Sequence, residues 1–110
     1  MPDSHALTLI QDEKFQDYNA YADARGGKVD LSNAHLRAYD LRKCKLANAN
    51  LAGAYLRAAD LRSVDLSLAN LEGASLKEAK VSGTLFPPNL TPEEIRLSLE
   101  YGTRLRVTPQ

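Results

Sequence analysis

Leucine stands at every fifth position from residue 31 to residue 76, and Val81 and Phe86 keep the register, giving twelve consecutive five-residue units without an insertion. Helices repeat at about 3.6 residues and strands at 2, so neither regular element gives a period of five. Two places before each large residue stands a mostly small one: Val29, Ala34, Tyr39, Cys44, Ala49, Ala54, Ala59, Val64, Ala69, Ala74, Ala79 and Thr84. In extended backbone, residues two apart share a face, so the small residue and the leucine point inward together and the residue between them points out. The two remaining positions must turn the chain, and turn-tolerant residues recur there, among them Asn33, Asn48, Gly53, Ser63, Gly73 and Gly83. If each corner turns about a right angle, four units close a coil of 20 residues, and the next coil hydrogen-bonds onto it at roughly 4.8 Å.

The units "ANLAG", "AYLRA", "ADLRS", "VDLSL" and "ANLEG" follow the pattern A(D/N)LXX, and in this the chain resembles the pentapeptide-repeat family. The resemblance runs from about Val29 to Phe86 and implies an all-β solenoid: a right-handed quadrilateral β-helix of about three coils, with its handedness and square section. Tyr39 and Cys44 depart from the small inward residue in the first coil. The tyrosine is expected to face the open end and pack under the N-terminal segment.

A stack this short exposes its leucines at both ends, a hazard that repeat proteins meet with atypical terminal caps. The sequence therefore divides into an N-terminal cap, partly helical, over 1–28; the repeats over 29–86; and a capping helix with a tail over 87–110. In "TPEEIRLSLEYG", Thr91 reads as the N-cap, Pro92 as the first helical residue, Glu94 as the partner three places on, and Gly102 as the stop. Ile95 and Leu99 share the face expected to cover the last coil, and Leu97 and Tyr101 lie on another side. Residues 11–24 carry a weaker helical pattern, with Phe15, Tyr18, Tyr21 and Ala22 as the inward stripe and "RGG" as its end.

The 110 residues suffice for one small domain. Fourteen basic side chains balance fourteen acidic ones, so net charge gives no general affinity for nucleic acid or anionic membrane. No apolar run approaches the roughly 18 residues that span a bilayer, and "MPDSHALTLIQDEK" lacks the basic start and long apolar stretch of a leader. A single cysteine agrees with a reducing compartment. A cytoplasmic protein without a membrane partner is the expectation.

Catalysis needs groups that converge, and none are placed to do so. His5 falls in an expected tail, and His35 sits at an outward position with Ser75 two coils along in the same column. Cys44, at an inward position of the repeat, reads as a buried thiol and not a nucleophile. Two histidines and one cysteine have no zinc spacing, the aspartates have no calcium-loop arrangement, and Gly26-Gly27 lacks a phosphate-loop lysine. No enzyme class and no cofactor or metal follow from the sequence.

The reading that remains is a non-enzymatic scaffold or protein-interaction module whose partner is an unidentified protein. Its candidate docking ridge stacks residues 20 apart: Arg37, Arg57 and Lys77 in one column and Arg42 and Arg62 in the next, with Tyr55 and His35 alongside. Asp40 and Asp60 sit beside the second column, and only Glu78 relieves the first. Two alternatives stand beside it. The family resemblance implies a DNA mimic that binds DNA gyrase, but such members are longer and strongly acidic, whereas these repeats carry eight basic residues against six acidic ones. Direct, weak nucleic-acid binding through the basic columns is disfavoured by overall neutrality and by a single aromatic platform, Tyr55. Outward Leu68 and Leu85, and apolar residues on more than one side of the C-terminal helix, raise the expectation of a homodimer. The family resemblance implies that such dimers form through the C-terminal end.

Overall fold

The structure, a computed structural model, describes residues 1–109. The leucine ladder is inside: every leucine from Leu31 to Leu76 in the five-residue register is at most 1% exposed, and Ala34, Ala49, Ala54, Ala59 and Ala74 pack beside it. Each unit then makes a two-residue turn, as at 32–33, 37–38 and 52–53. Most turns need a left-handed residue, and Gly53 shows why its identity matters. It sits at φ +68°, and a Cβ there would overlap Asn33 Oδ1 in the turn 20 residues earlier.

The β-helix expected from the family is not what forms. Among the described residues there is no strand and no sheet, only three short helices, turns, and isolated parallel bridges. The bridges join residues 20 apart: Asp30 with Asn50 and on to Asn70, His35 with Tyr55 and on to Ser75, Asp40 with Asp60 and on to Lys80, and Asp65 with Leu85. The physical reason lies in the unit length. Between one turn and the next, a single residue is free to pair, so a bridge never extends into a ladder. The tiers are nonetheless tied by backbone hydrogen bonds, for instance Tyr55 N–H to Ala34 O at 2.9 Å and Leu36 N–H to Tyr55 O at 2.9 Å.

Three helices flank the repeats: α1 (Ser4–Gln11), α2 (Phe15–Asp23) and α3 (Pro92–Tyr101). Helix α1 replaces the tail expected around His5. Its N-cap, Asp3, accepts from His5 N–H and Ala6 N–H and also from the Tyr21 hydroxyl at 2.6 Å, which pins α1 to α2. The stripe read on α2 faces inward, with Tyr18 and Ala22 fully buried and Phe15 and Tyr21 partly so. Tyr39 lines a seam with Ile10 and Phe15, under the N-terminal segment as expected.

Helix α3 forms between the residues read as its ends, with Thr91 Oγ1 accepting from Glu94 N–H and Gly102 left-handed at φ +74°. Glu94, however, does not bond back to the cap. Its carboxylate holds Arg106, accepting from N–H at 3.1 Å and Nη2 at 2.6 Å. The C-terminal segment thereby returns to the last tier and supplies the partners a further tier would have supplied. Gly73 N–H donates to Leu105 O, Leu105 N–H to Ala74 O, Glu78 N–H to Leu99 O, and Leu76 N–H to the buried Ser98 Oγ. At the other end, Asp3 N–H donates to Asp30 O, Asn19 Oδ1 accepts from Lys45 N–H, and the Tyr18 hydroxyl donates to Lys45 O.

One bridge in the series is absent among the described residues: Lys45 does not pair with Asp65. Lys43–Lys45 is drawn to α2, where the Asn19 amide bridges Lys43 O and Lys45 N–H and Asp23 pairs with Lys45 Nζ at 3.0 Å. A cleft of about 540 Å³ opens there, between α2, Arg42–Asn48 and Ser63–Asp65.

Candidate interaction surface

The two basic columns differ in how free their charges are. The first is held in register by Ala38 N–H to Arg57 O and Ala58 N–H to Lys77 O, both 2.8 Å. The turn residues Ala38, Ala58 and Glu78 adopt positive φ, of 64°, 58° and 61°, and this stacks the column at one corner. Arg37 makes no ion pair among the described residues. Arg57 meets Glu78 at 3.4 Å with both side chains more than half exposed, an arrangement worth little in water. Lys77 Nζ donates to Glu100 O in the last turn of α3, where a cation meets the negative end of the helix dipole.

The second column is neutralised. Asp40 accepts from Arg42 N–H, Nε and Nη2 at 3.1, 2.9 and 2.9 Å, and Asp60 accepts from the same three groups of Arg62 at 3.2, 2.9 and 2.7 Å. Arg42 Nε also approaches Asp60 at 3.3 Å, so the four side chains form a continuous ladder across two tiers. The side-chain hydrogen bonds from Arg42 and Arg62 hold the Asp40 and Asp60 carboxyls down at about 2.

These aspartates also carry a role that the periodicity did not reveal. Asp30, Asp40, Asn50, Asp60, Asp65 and Asn70 each accept from the backbone N–H two residues on, closing the turn after the leucine. The signal was present in the chain: an Asp or Asn stands just before six of the register leucines. Its side chain therefore serves the turn first.

Beside the first column, the His35 and Tyr55 rings lie 4.9 Å apart and tilted by 32°. Arg104, a residue the sequence reading did not single out, lays its guanidinium 5.2 Å from the Tyr55 ring centroid. It donates from Nη2 to Tyr55 Oη at 3.2 Å and from Nη1 to Gly73 O at 2.8 Å. Ser75 follows Tyr55 in the same bridged row, but its hydroxyl donates to Gly102 O. Cys44 is 5% exposed, and burial pushes its thiol up to about 12, with the Asp40 charge adding to the effect. Among the described residues, no group of three or more His, Cys, Asp or Glu side chains is placed to hold a metal ion. No described helix is long and apolar enough to cross a membrane.

The geometry is thus a repeat body with one relatively free basic column, one neutralised column and an aromatic row. The family of Pentapeptide repeats matches it in eight copies, over residues 30–73 and 49–86. No curated protein and no solved structure matches the chain. Residues 30–86 make up just over half of the 110, and the chain belongs to the pentapeptide-repeat family.

Proposed function

We propose that this chain is a non-enzymatic interaction module, acting in the cytoplasm, that docks an acidic surface of a protein partner on the column Arg37, Arg57 and Lys77, with His35 and Tyr55 beside it. One observation carries the reading. Backbone hydrogen bonds fix Arg37, Arg57 and Lys77 20 residues apart in register, yet Arg37 has no ion-pair partner among the described residues and Arg57 has only a long, exposed one. Fixed spacing lowers the ordering cost of docking, and weak internal pairing leaves the charge available to a partner. Arg42 and Arg62 contribute less than the sequence suggested, because Asp40 and Asp60 already hold them. The buried Cys44 thiol fits a reducing compartment.

The test compares two charge reversals in pull-downs from the native organism at physiological salt. Arg37→Glu/Arg57→Glu/Lys77→Glu is expected to keep the parent's circular dichroism and lose the partner that the parent retains. Arg42→Glu/Arg62→Glu is expected to keep that partner. Retention by the triple variant would reduce the column to a solvated face.

A further inference from the structure

In the series of outward residues from Asp30/Asn50 to Asp65/Leu85, the pair Lys45/Asp65 alone is unbridged among the described residues. Where the bridge is made, Leu36 N–H donates to Tyr55 O and Tyr55 N–H to Ala34 O. Leu46 N–H, Cys44 O, Asp65 N–H and Asp65 O hold the same places in their units, and none makes a hydrogen bond among the described residues. Lys43 N–H does not reach Arg62 O, although Ala38 N–H reaches Arg57 O one corner earlier. Lys43 also lacks the left-handed conformation that Ala38 and Ser63 adopt at the equivalent place in their turns. The groups left over match donor for acceptor, and all of these residues except Arg62 line the cleft of about 540 Å³, as Asp23 does.

We propose that Lys43–Lys45 is a strap with two positions: held on α2 with the cleft open, as here, or released onto Ser63–Asp65 with the cleft closed and the missing bridge made. The bonds that hold it open all come from α2. Asn19 spans Lys43 O and Lys45 N–H, the Tyr18 hydroxyl donates to Lys45 O, and Asp23 pairs with Lys45 Nζ. Closing makes the bonds Leu46 N–H to Asp65 O, Asp65 N–H to Cys44 O and Lys43 N–H to Arg62 O, which is the regular pattern of the other faces. The Lys45 charge has a carboxylate in either position. Open, it meets Asp23 with both side chains more than half exposed, a pair worth little in water. Closed, it stands across the bridge from Asp65, which has no ion pair among the described residues. Charge therefore locks neither position, and what opposes closure is the Asn19 amide together with the left-handed turn that Lys43 must adopt. A partner that engages Asn19 and Asp23 closes the cleft, and a molecule that enters the cleft holds it open.

Amide hydrogen exchange on the full chain tests this, with Leu36 and Tyr55 N–H as internal references. In the parent, Leu46 and Asp65 N–H are expected to be about ten-fold or more less protected than the references. Asn19→Ala/Asp23→Ala frees the strap, and Lys43→Gly removes the cost of the left-handed turn. Each should raise protection of Leu46 and Asp65 N–H by about ten-fold, with the references unchanged. A rise in either variant supports the strap, so Lys43→Gly decides the matter if loosening α2 costs the fold. Parent amides at Leu46 and Asp65 as protected as the references would mean that no cleft is held open in solution. Protection that rises in neither variant would mean that the strap has no closed position, and either result would overturn the proposal.

Discussion

Asn50 and Leu56 show which contacts set stability at the scale of the residue. The Asn50 side chain accepts from Ala52 N–H at 3.1 Å in a partly solvated turn, an interaction worth about 0.5–1.5 kcal/mol. Leu56 is fully buried in the middle tier between Leu36 and Leu76, and truncating such a side chain costs about 2–5 kcal/mol because a cavity is left behind. Leu56→Ala is therefore expected to lower the urea midpoint several times more than Asn50→Ala, and Leu56→Asp to abolish the folded circular dichroism. Equal losses for Leu56→Ala and Asn50→Ala would mean that the turns and not the ladder hold the repeats.

At the scale of the element, α3 closes the last tier in part through a buried hydroxyl. Ser98 is 0% exposed, and its Oγ accepts from Leu76 N–H at 2.9 Å. Ser98→Ala leaves that amide buried without a partner, at a cost of about 1–3 kcal/mol. Hydrogen exchange should show Leu76 N–H losing protection while Leu56 N–H, bonded to Ser75 O, keeps it. The ends of α3 were legible because Thr91, Pro92 and Gly102 act on the backbone next to them. Ser98 was not, since its partner lies 22 residues away and serine carries no signal for the inward face. Helix α1 went unread although its cap, Asp3, acts on the His5 and Ala6 N–H groups beside it, because an eight-residue helix with only Ala6 and Ile10 buried is too short to show a period. The inward leucines were fully legible, as period and burial are one fact there. The strands read between the turns were not there to find, because one pairing residue per unit makes a bridge and no more. For the proposed docking column, the spacing of Arg37, Arg57 and Lys77 was in the sequence, but the contact of Arg104 with Tyr55 depends on how the C-terminal segment returns to the last tier.

At the scale of the whole molecule, acid should loosen the fold in a defined window. Asp40 and Asp60 titrate at about 2 in the folded chain, lowered first by their arginine hydrogen bonds from the ordinary 3.8, and the carboxyls of Asp30, Asp65 and Glu94 are also lowered by hydrogen bonds. Between those values the unfolded chain binds more protons than the folded one, so stability is present above about pH 4 and falls as pH drops toward 2. Urea midpoints measured down that range should decline, and Asp40→Asn/Asp60→Asn should flatten the decline. A parent midpoint constant down to that pH would show that the arginine ladder adds nothing to stability. The two ends carry a different implication. Leu99 O, Leu105 O and Ser98 Oγ occupy the places of a next tier's acceptors, while Asn19 and Tyr18 serve the first tier in the same way. Both ends are thus keyed to one angular position. An insert of 20 residues among the repeats would return every partner to its place, and one of five or ten would swing α3 to the wrong side. The molecule can grow only by whole storeys.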